Sequence, residues 1–434
     1  MLKIGDFNIP ALVLRDNEIS PGTILQEIEM RIAYLDEIQH PHQSPLCVVA
    51  TSELSTIYWM FASFLSGRIF VPFPPKLTKT EEEYYLSFFS KSTIVIKGDE
   101  KLHPPIIKPK FSPCSSDDMM AFVFSSGSTG KATPIALTFT NFLSQAKAHK
   151  LHNAQTEKDI WLASLPLYHV GGINIFTRAM FLNQEVAFDG IFETSKYRYW
   201  LENSRITCFS LVPTQLYRLL HFSPEIQLNT AIKMILVGGG PIDSELVKLA
   251  HSKNWPVILT YGMTETCSQI YTGDSPLPGI TLKISESKEI LIKSPTLSPT
   301  IPKDDEGYFA SGDLGLIDDQ GKLQVLGRMK TLINSGGIKI APEEIEAAML
   351  KHPDISEAAV WGTPHAEWGE ALSAAYVSSQ NLTSEEVLNF LKNELSSKKI
   401  PKIILRVNEI PRTNNGKIKR DELLSLLAND KDNH

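Results

Sequence analysis

Cysteine is scarce. The chain of 434 residues holds four, Cys47, Cys114, Cys208 and Cys267, all far apart. No Cys-x-x-Cys pair or Cys/His spacing of a zinc module is present, and no disulfide framework can be drawn; free thiols of a reducing compartment are expected. An excess of positive charge is also missing. The net charge is −7 with no long basic run, which argues against a nucleic-acid or anionic-membrane partner. The N-terminus has no basic start followed by an apolar stretch, so no signal peptide is read. The most hydrophobic segment, IYWMFASFLSG at 57–67, is too short to span a bilayer. Preceded by Thr51-Ser52-Glu53, it reads as a buried helix started at those residues and followed by a strand over 69–72. No internal repeat or low-complexity tract appears. These absences leave a cytoplasmic globular chain, too long for one ordinary core and therefore of two or more domains.

The remaining pattern is regular. Short β-rich runs at 46–50, 68–73, 92–96, 120–126, 206–213, 234–240 and 256–262 are interleaved with helical stretches at 141–151, 214–222 and 243–253. That alternation predicts parallel sheets covered by helices, with ligands at the carboxyl edge of the strands. Near residue 280 the texture changes to short strands and tight turns, and Asp318-Asp319-Gln320-Gly321 reads as a hairpin turn. A helix opened by Pro342 with Glu343 and Glu344 in its first turn follows. Strands over 356–362 and 373–379 and a helix from Ser384 complete the chain. The expected fold class is α/β: a large N-terminal domain of helix-covered β-sheets, 1–327, and a small α+β C-terminal domain, 332–434, with the boundary at 328–331.

Five segments carry chemistry. Ser125-Ser126-Gly127-Ser128-Thr129-Gly130-Lys131 follows a strand. It is not a Walker loop, which needs Gly-x-x-x-x-Gly-Lys-Ser/Thr, but its free N–H and O–H donors and one cation suit a polyphosphate. By itself it is equally a Ser/Gly linker. VGGGPI at 237–242 lets a flat ligand lie on backbone. LTYGMTETCSQI at 259–270 places an aromatic, hydroxyls and a carboxylate at a strand end. YFASGDLG at 308–315 offers Asp313, and PRTNNGKIKR at 411–420 offers Lys417. Singly, each has a plain structural reading as a turn, a core residue or a surface charge.

In this order, over nearly the whole chain, the segments resemble the adenylate-forming superfamily of acyl-CoA synthetases, luciferases and peptide-synthetase adenylation domains. SLPLYHVGGINIFTRAMF, SLVPTQLYRLL and YGMTETCSQI look most like the o-succinylbenzoate–CoA ligases of menaquinone biosynthesis. The resemblance implies an enzyme using ATP, Mg²⁺ and coenzyme A. A carboxylate attacks the α-phosphate of ATP to give an acyl-adenylate and pyrophosphate, and the CoA thiol then displaces AMP. Ser126, Gly127, Ser128, Thr129 and Lys131 would hold the β- and γ-phosphates. Thr264 would contact the α-phosphate and Glu265 would ligate Mg²⁺. Tyr261 with Gly239 and Gly240 would enclose adenine, and Asp313 would accept the ribose hydroxyls with Arg328 nearby. Lys417 would bridge the attacking carboxylate and the transferring phosphoryl group. Lys330 matches the family's hinge, about which a mobile C-terminal domain rotates between half-reactions. Gly336 and Gly337 would then leave room for the pantetheine arm.

The resemblance places the acyl pocket near His169, Gly171–Gly172, Arg178, Val212–Thr214 and the 259–266 strand end. Arg178 is a candidate partner for a second carboxylate; the plain reading is a surface arginine on a helix over 172–182. His169, after a strand over 161–169, either gates the acyl channel or makes a structural hydrogen bond. One departure stands out: Ala132-Thr133-Pro134 replaces the family's Pro-Lys-Gly. Rival readings are another acyl- or aryl-CoA ligase, a stand-alone amino-acid or aryl-acid adenylating enzyme, and a nucleotide sensor without turnover. A homodimer is left open.

Overall fold

The computed structural model describes residues 8–423 apart from 52, 91–92, 98–101, 103–106, 113–114, 126–131, 191, 241, 243, 336–337, 366–367, 412–417 and 420–421. The chain forms two compact units. The larger comprises Met1–Gly240, Leu249–Thr281 and Ile292–Phe309; the smaller comprises Pro241–Lys248, Leu282–Leu291 and Ala310–His434.

The larger unit contains two sheets. A five-stranded sheet runs in the order Ile94–Ile96, Pro45–Val49, Ile69–Phe73, Met119–Ser125, Thr133–Thr138. Its pairings are parallel except the last, which is antiparallel. Thr133–Thr138 is not among the strands expected from sequence. It lies at the sheet edge, where a proline such as Pro134 is tolerated. The second sheet has Val257–Met263, Met234–Val237, Cys208–Leu211, Ile160–Leu162, Glu185–Ala187 and Leu12–Val13 in parallel succession. It is extended by antiparallel strands at each end.

Helices Leu54–Leu65, Phe139–His152 and Val170–Leu182 share one hydrophobic core with both sheets; Phe61, Phe64, Phe142 and Phe176 meet Phe70, Leu137, Trp161 and Leu236 there. Leu54–Leu65 is buried at every residue from Thr56 to Leu65, which explains its hydrophobicity on all sides. Its N-cap is Glu53 without a side-chain hydrogen bond, so packing rather than the expected polar start holds it. Among the described residues no helix is long and apolar enough to cross a membrane. Thr138 and Asn141 form a reciprocal capping box at the start of Phe139–His152, and Asn183 ends Val170–Leu182 in the left-handed conformation.

The strand expected over 161–169 is shorter: only Ile160–Leu162 is strand. Beyond it the Ser164 hydroxyl donates to the Ser210 carbonyl, and the chain turns at Pro166, whose carbonyl accepts from His169 N at 3.1 Å.

One sheet, most of whose residues belong to the smaller unit, takes Thr281–Ile284, Glu289–Lys293, Phe309–Ile317 and Leu323–Arg328 in that order. The expected turn is present. Gly321 N donates to the Asp318 carbonyl at 2.9 Å, while the Asp318 carboxylate accepts from Gln320 N and Lys322 N, each at 2.9 Å. The other sheet joins Ile338–Ile340, Ile333–Ser335, Gly369–Val377, Glu357–His365 and Ile403–Arg406. Helices Pro342–Leu350 and Ser384–Glu394 close its core through Ile345, Met349, Val387 and Leu391. Pro342 stands in the first turn of its helix with Glu343 and Glu344, as expected. Cys47, Cys208 and Cys267 are buried free thiols; Cys114 lies outside the described residues.

Candidate active site

Three parallel strands of the larger unit end side by side, with Leu211, Val237 and Leu259 in register. Their carboxyl edge therefore presents Val212–Thr214, Gly238–Gly240 and Thr260–Glu265 together. Gly238 is the tight position: a Cβ there would lie 2.7 Å from both Cγ2 and the carbonyl oxygen of Thr260. Gly239 has φ +83°, a region that favours glycine. Gly239 and Gly240 are exposed, and the nearest atoms to a Cβ on them are Val212 Cγ1 at 3.6 Å and Pro213 Cγ at 4.0 Å. They form a shelf of bare backbone. Thr214, in the first turn of the helix Pro213–Phe222, is exposed beside it.

The strand Val257–Met263 turns through a short 3₁₀ segment, Thr264–Thr266, into the antiparallel strand Ser268–Thr272. Thr266 fastens the turn: its hydroxyl accepts from Met263 N at 3.0 Å and donates to the Ser268 carbonyl at 2.7 Å. Ser298 N holds the Glu265 carbonyl at 2.9 Å. Tyr261, Thr264 and Glu265 are each half-buried, carried on a hairpin with a register shift between Tyr261 and Gly262. Gly262 makes this hairpin possible. A Cβ there would meet the Ser268 carbonyl oxygen at 2.1 Å and Gln269 Cα at 2.6 Å, a constraint that the sequence alone did not reveal.

His169 is the N-cap of Val170–Leu182 and contributes no side-chain cap. Its ring lies 4.6 Å from that of Tyr168. Burial holds its imidazole down to about 4, so it is neutral at neutral pH. Gly172, one turn on, admits no side chain, since a Cβ would be 2.1 Å from the Pro166 carbonyl oxygen. Arg178 is not the surface arginine of the plain reading. It is 2% exposed, with its guanidinium 4.6 Å from the centre of the Trp161 ring. It stands nine residues beyond His169, about 13 Å along the helix.

The Ser/Gly segment joins Met119–Ser125 to Thr133–Thr138. It is thus the connection of an antiparallel hairpin rather than the strand-to-helix loop of a P-loop. Its described ends are fixed: Ser125 and Thr133 are register partners, their hydroxyls 3.3 Å apart, and the Tyr84 hydroxyl donates to the Ala132 carbonyl at 3.0 Å. Ser126, Gly127, Ser128, Thr129 and Lys131 lie outside the described residues, as do Gly336, Gly337 and Lys417.

Within the smaller unit, Asp313 and Arg328 are register partners on paired strands, and Arg328 Nε meets Asp313 Oδ1 at 3.0 Å. The Asp313 carboxylate is almost enclosed, whereas the Arg328 side chain is 40% exposed. Gly312, at φ +74° with open space around it, lets the chain turn ahead of Asp313, and its N–H donates to Glu289 Oε1 at 2.8 Å. Lys330 is exposed in the 3₁₀ turn Met329–Thr331. Among the described residues no group of three or more His, Cys, Asp or Glu could hold a metal. Mg²⁺ in nucleotide sites takes only one or two carboxylates beside phosphate and water, and Glu265 is a half-buried carboxylate at this strand end.

The family model for AMP-binding enzymes matches residues 8–289, and that for the AMP-binding enzyme C-terminal domain matches 344–417. A 2-succinylbenzoate–CoA ligase of Bacillus velezensis is 33% identical over 71% of this chain and 69% of its own length. That of Bacillus licheniformis is 27% identical over 95% of this chain and 96% of its own. The o-succinylbenzoate CoA synthetase (MenE) of Bacillus subtilis, solved with the acyl-adenylate intermediate OSB-AMP, superposes with a TM-score of 0.86. It is 27% identical, covering 96% of this chain and 95% of that one. Solved with ATP and magnesium ion, the same synthetase gives a TM-score of 0.85 at 27% identity, covering 95% and 96%.

Proposed function

From the premise that the chain belongs to the AMP-binding enzyme family, as an AMP-forming acid–CoA ligase, we propose its reaction: ATP-dependent joining of o-succinylbenzoate to coenzyme A, a step of menaquinone biosynthesis. The observation that carries this choice of acid is the likeness, over nearly the full chain, to o-succinylbenzoate ligases, one of them solved with its acyl-adenylate.

The proposed roles follow the chemistry of the residues. The bare backbone of Gly239 and Gly240 admits a flat purine that Tyr261 covers. The Thr264 hydroxyl donates to the α-phosphate. Glu265 would hold Mg²⁺, which when bound neutralises charge on the phosphates. Ser126, Gly127, Ser128, Thr129 and Lys131 take the β- and γ-phosphates. His169, neutral above about pH 4, lines the acyl channel without adding charge. Thr214 faces the acid from the neighbouring strand end. Asp313 accepts the ribose hydroxyls, with Arg328 holding the carboxylate in place. Lys417 bridges the attacking carboxylate and the phosphoryl centre, where fixed positive charge lowers the barrier. Lys330 is the proposed hinge, and Gly336 and Gly337 make way for pantetheine in the second half-reaction.

The test is AMP and pyrophosphate release with ATP, Mg²⁺ and CoA across a panel of o-succinylbenzoate, benzoate, a medium-chain fatty acid and amino acids. A kcat/KM for o-succinylbenzoate at least ~10-fold above the others, or about 1.4 kcal/mol of discrimination, is expected. A higher value for any other acid overturns the choice of substrate.

A further inference from the structure

Asn174 stands in the middle of the helix Val170–Leu182. Asparagine is a poor residue there, because its side chain competes for backbone hydrogen bonds. Between Ile173 and Ile175, both buried, Asn174 is itself fully buried, where an amide is costly unless it is hydrogen-bonded. Its amide nitrogen donates to the Val170 carbonyl at 3.0 Å, one turn back on its own helix, and to the Cys267 carbonyl at 3.2 Å. Carbonyl oxygens only accept, so the nitrogen of the amide must be the atom that faces them. The first bond stays within the helix. The second reaches the turn between Thr264–Thr266 and the strand Ser268–Thr272.

Cys267 has φ +53° and ψ +44°, and Ser268 follows with φ +88°. Two successive residues other than glycine thus stand in the left-handed region, which L side chains rarely adopt. Such a conformation persists only where its surroundings fix it. Cys267 N donates to the Thr264 carbonyl at 3.0 Å, so the same residue closes the 3₁₀ segment that carries Thr264 and Glu265. Ser298 N holds that segment at the Glu265 carbonyl, and the Thr266 hydroxyl holds it at Met263 and Ser268. Asn174 adds the contact from the helix side, and it grips Cys267 itself.

We propose that Asn174 is a positioning residue for adenylation: by holding Cys267 in the left-handed conformation it fixes where the Thr264 hydroxyl and the Glu265 carboxylate stand. The inference rests on the roles proposed above for Thr264 and Glu265. Without this bond the turn relaxes towards backbone that cysteine and serine favour, and Glu265 shifts with it. No group that touches a ligand is lost in that case; only its place changes.

Two variants of the full chain test this. Asn174→Leu keeps the branched shape of the side chain and removes the donor. Asn174→Ser, the milder change for folding, bonds back to the Val170 carbonyl and is too short to reach Cys267. In each, the Mg²⁺ concentration that half-saturates ATP binding, followed by calorimetry without the acid, should rise about 10-fold. Amide hydrogen exchange at Cys267 in the unliganded protein should quicken, while the KM for the acid stays within about twofold. Cys267→Gly, which takes left-handed backbone freely, should recover most of the Mg²⁺ loss in either background, a rescue that lost packing would not give. Unchanged Mg²⁺ dependence and exchange, an equal loss for Mg²⁺ and for the acid, or no rescue overturns the proposal. Glu265→Gln separates it from the reading on which it rests. If Glu265→Gln shifts the Mg²⁺ requirement and the Asn174 variants do not, the proposal falls and the reading stands. If Glu265→Gln leaves the requirement unchanged, the role of Glu265 falls, and exchange at Cys267 alone decides whether Asn174 holds the turn.

Discussion

Replacing Gly262 by alanine puts a methyl group 2.1 Å from the Ser268 carbonyl oxygen and 2.6 Å from Gln269 Cα. Both obstacles are backbone, so no change of rotamer relieves them. The strands Val257–Met263 and Ser268–Thr272 must part by about 1 Å before the contact becomes tolerable. Forcing extra volume into a packed site costs about 1–3 kcal/mol, which at roughly 2–4 °C per kcal/mol lowers Tm by ~2–12 °C. The functional loss should be larger in proportion. Tyr261, Thr264 and Glu265 ride on this hairpin, and a misplacement of ~1 Å can cost on the order of 100-fold in rate. Gly240→Ala is the control, because the nearest atom to its Cβ is Pro213 Cγ at 4.0 Å; its stability should stay within ~0.5 kcal/mol of wild type. The assays are thermal unfolding without ligand and kcat/KM for ATP in pyrophosphate release. Wild-type values of both for Gly262→Ala would refute the claim that close strand approach positions this site.

Three further outcomes are expected. His169 is held to about 4 when folded, below its ordinary 6.5, so the unfolded chain binds more protons between these values. Its contribution to stability is thus full above pH 6.5 and lost as pH falls towards 4. His169→Gln should flatten that part of the stability–pH curve, and an unchanged curve counts against the assignment. Asp313→Asn removes a charged acceptor paired with Arg328 Nε at 3.0 Å. The KM for ATP should rise ~10–100-fold, matching about 1.5–3 kcal/mol for a hydrogen bond to a charged group, and a KM within about twofold of wild type would exclude a ribose contact. Lys417→Ala should slow pyrophosphate release by roughly 100–1,000-fold while still converting pre-made acyl-adenylate and CoA to thioester; normal release would remove this lysine from adenylation.

Elements specified by neighbours along the chain are legible in the residues themselves. The parallel strands ending at Leu211, Val237 and Met263, the Asp318–Gly321 turn and the helix at Pro342 all fall where local pattern puts them. Elements specified across the chain are not legible in this way. Thr133–Thr138 looks like loop because Pro134 and its small neighbours disfavour a strand, and only its place at a sheet edge permits one. The apolar run after Leu162 looks like more strand, but Ser164 and Pro166 are engaged in turning towards the helix at His169. A lone arginine between apolar residues looks exposed, yet Val170–Leu182 is buried nearly all round and encloses Arg178. Gly262 can be noticed in the sequence but not explained by it, since its obstacle sits on the returning strand. The same division runs through the candidate site. The phosphate, cation and ribose roles proposed for Thr264, Glu265 and Asp313 come from the family resemblance, since singly each of these residues also has a plain structural reading. Their positions depend on strand register, which is set by pairing and packing across the sheets. Substitutions at Gly238, Gly262 and Thr266 should therefore damage the reaction through geometry alone, leaving every chemically active group present but displaced.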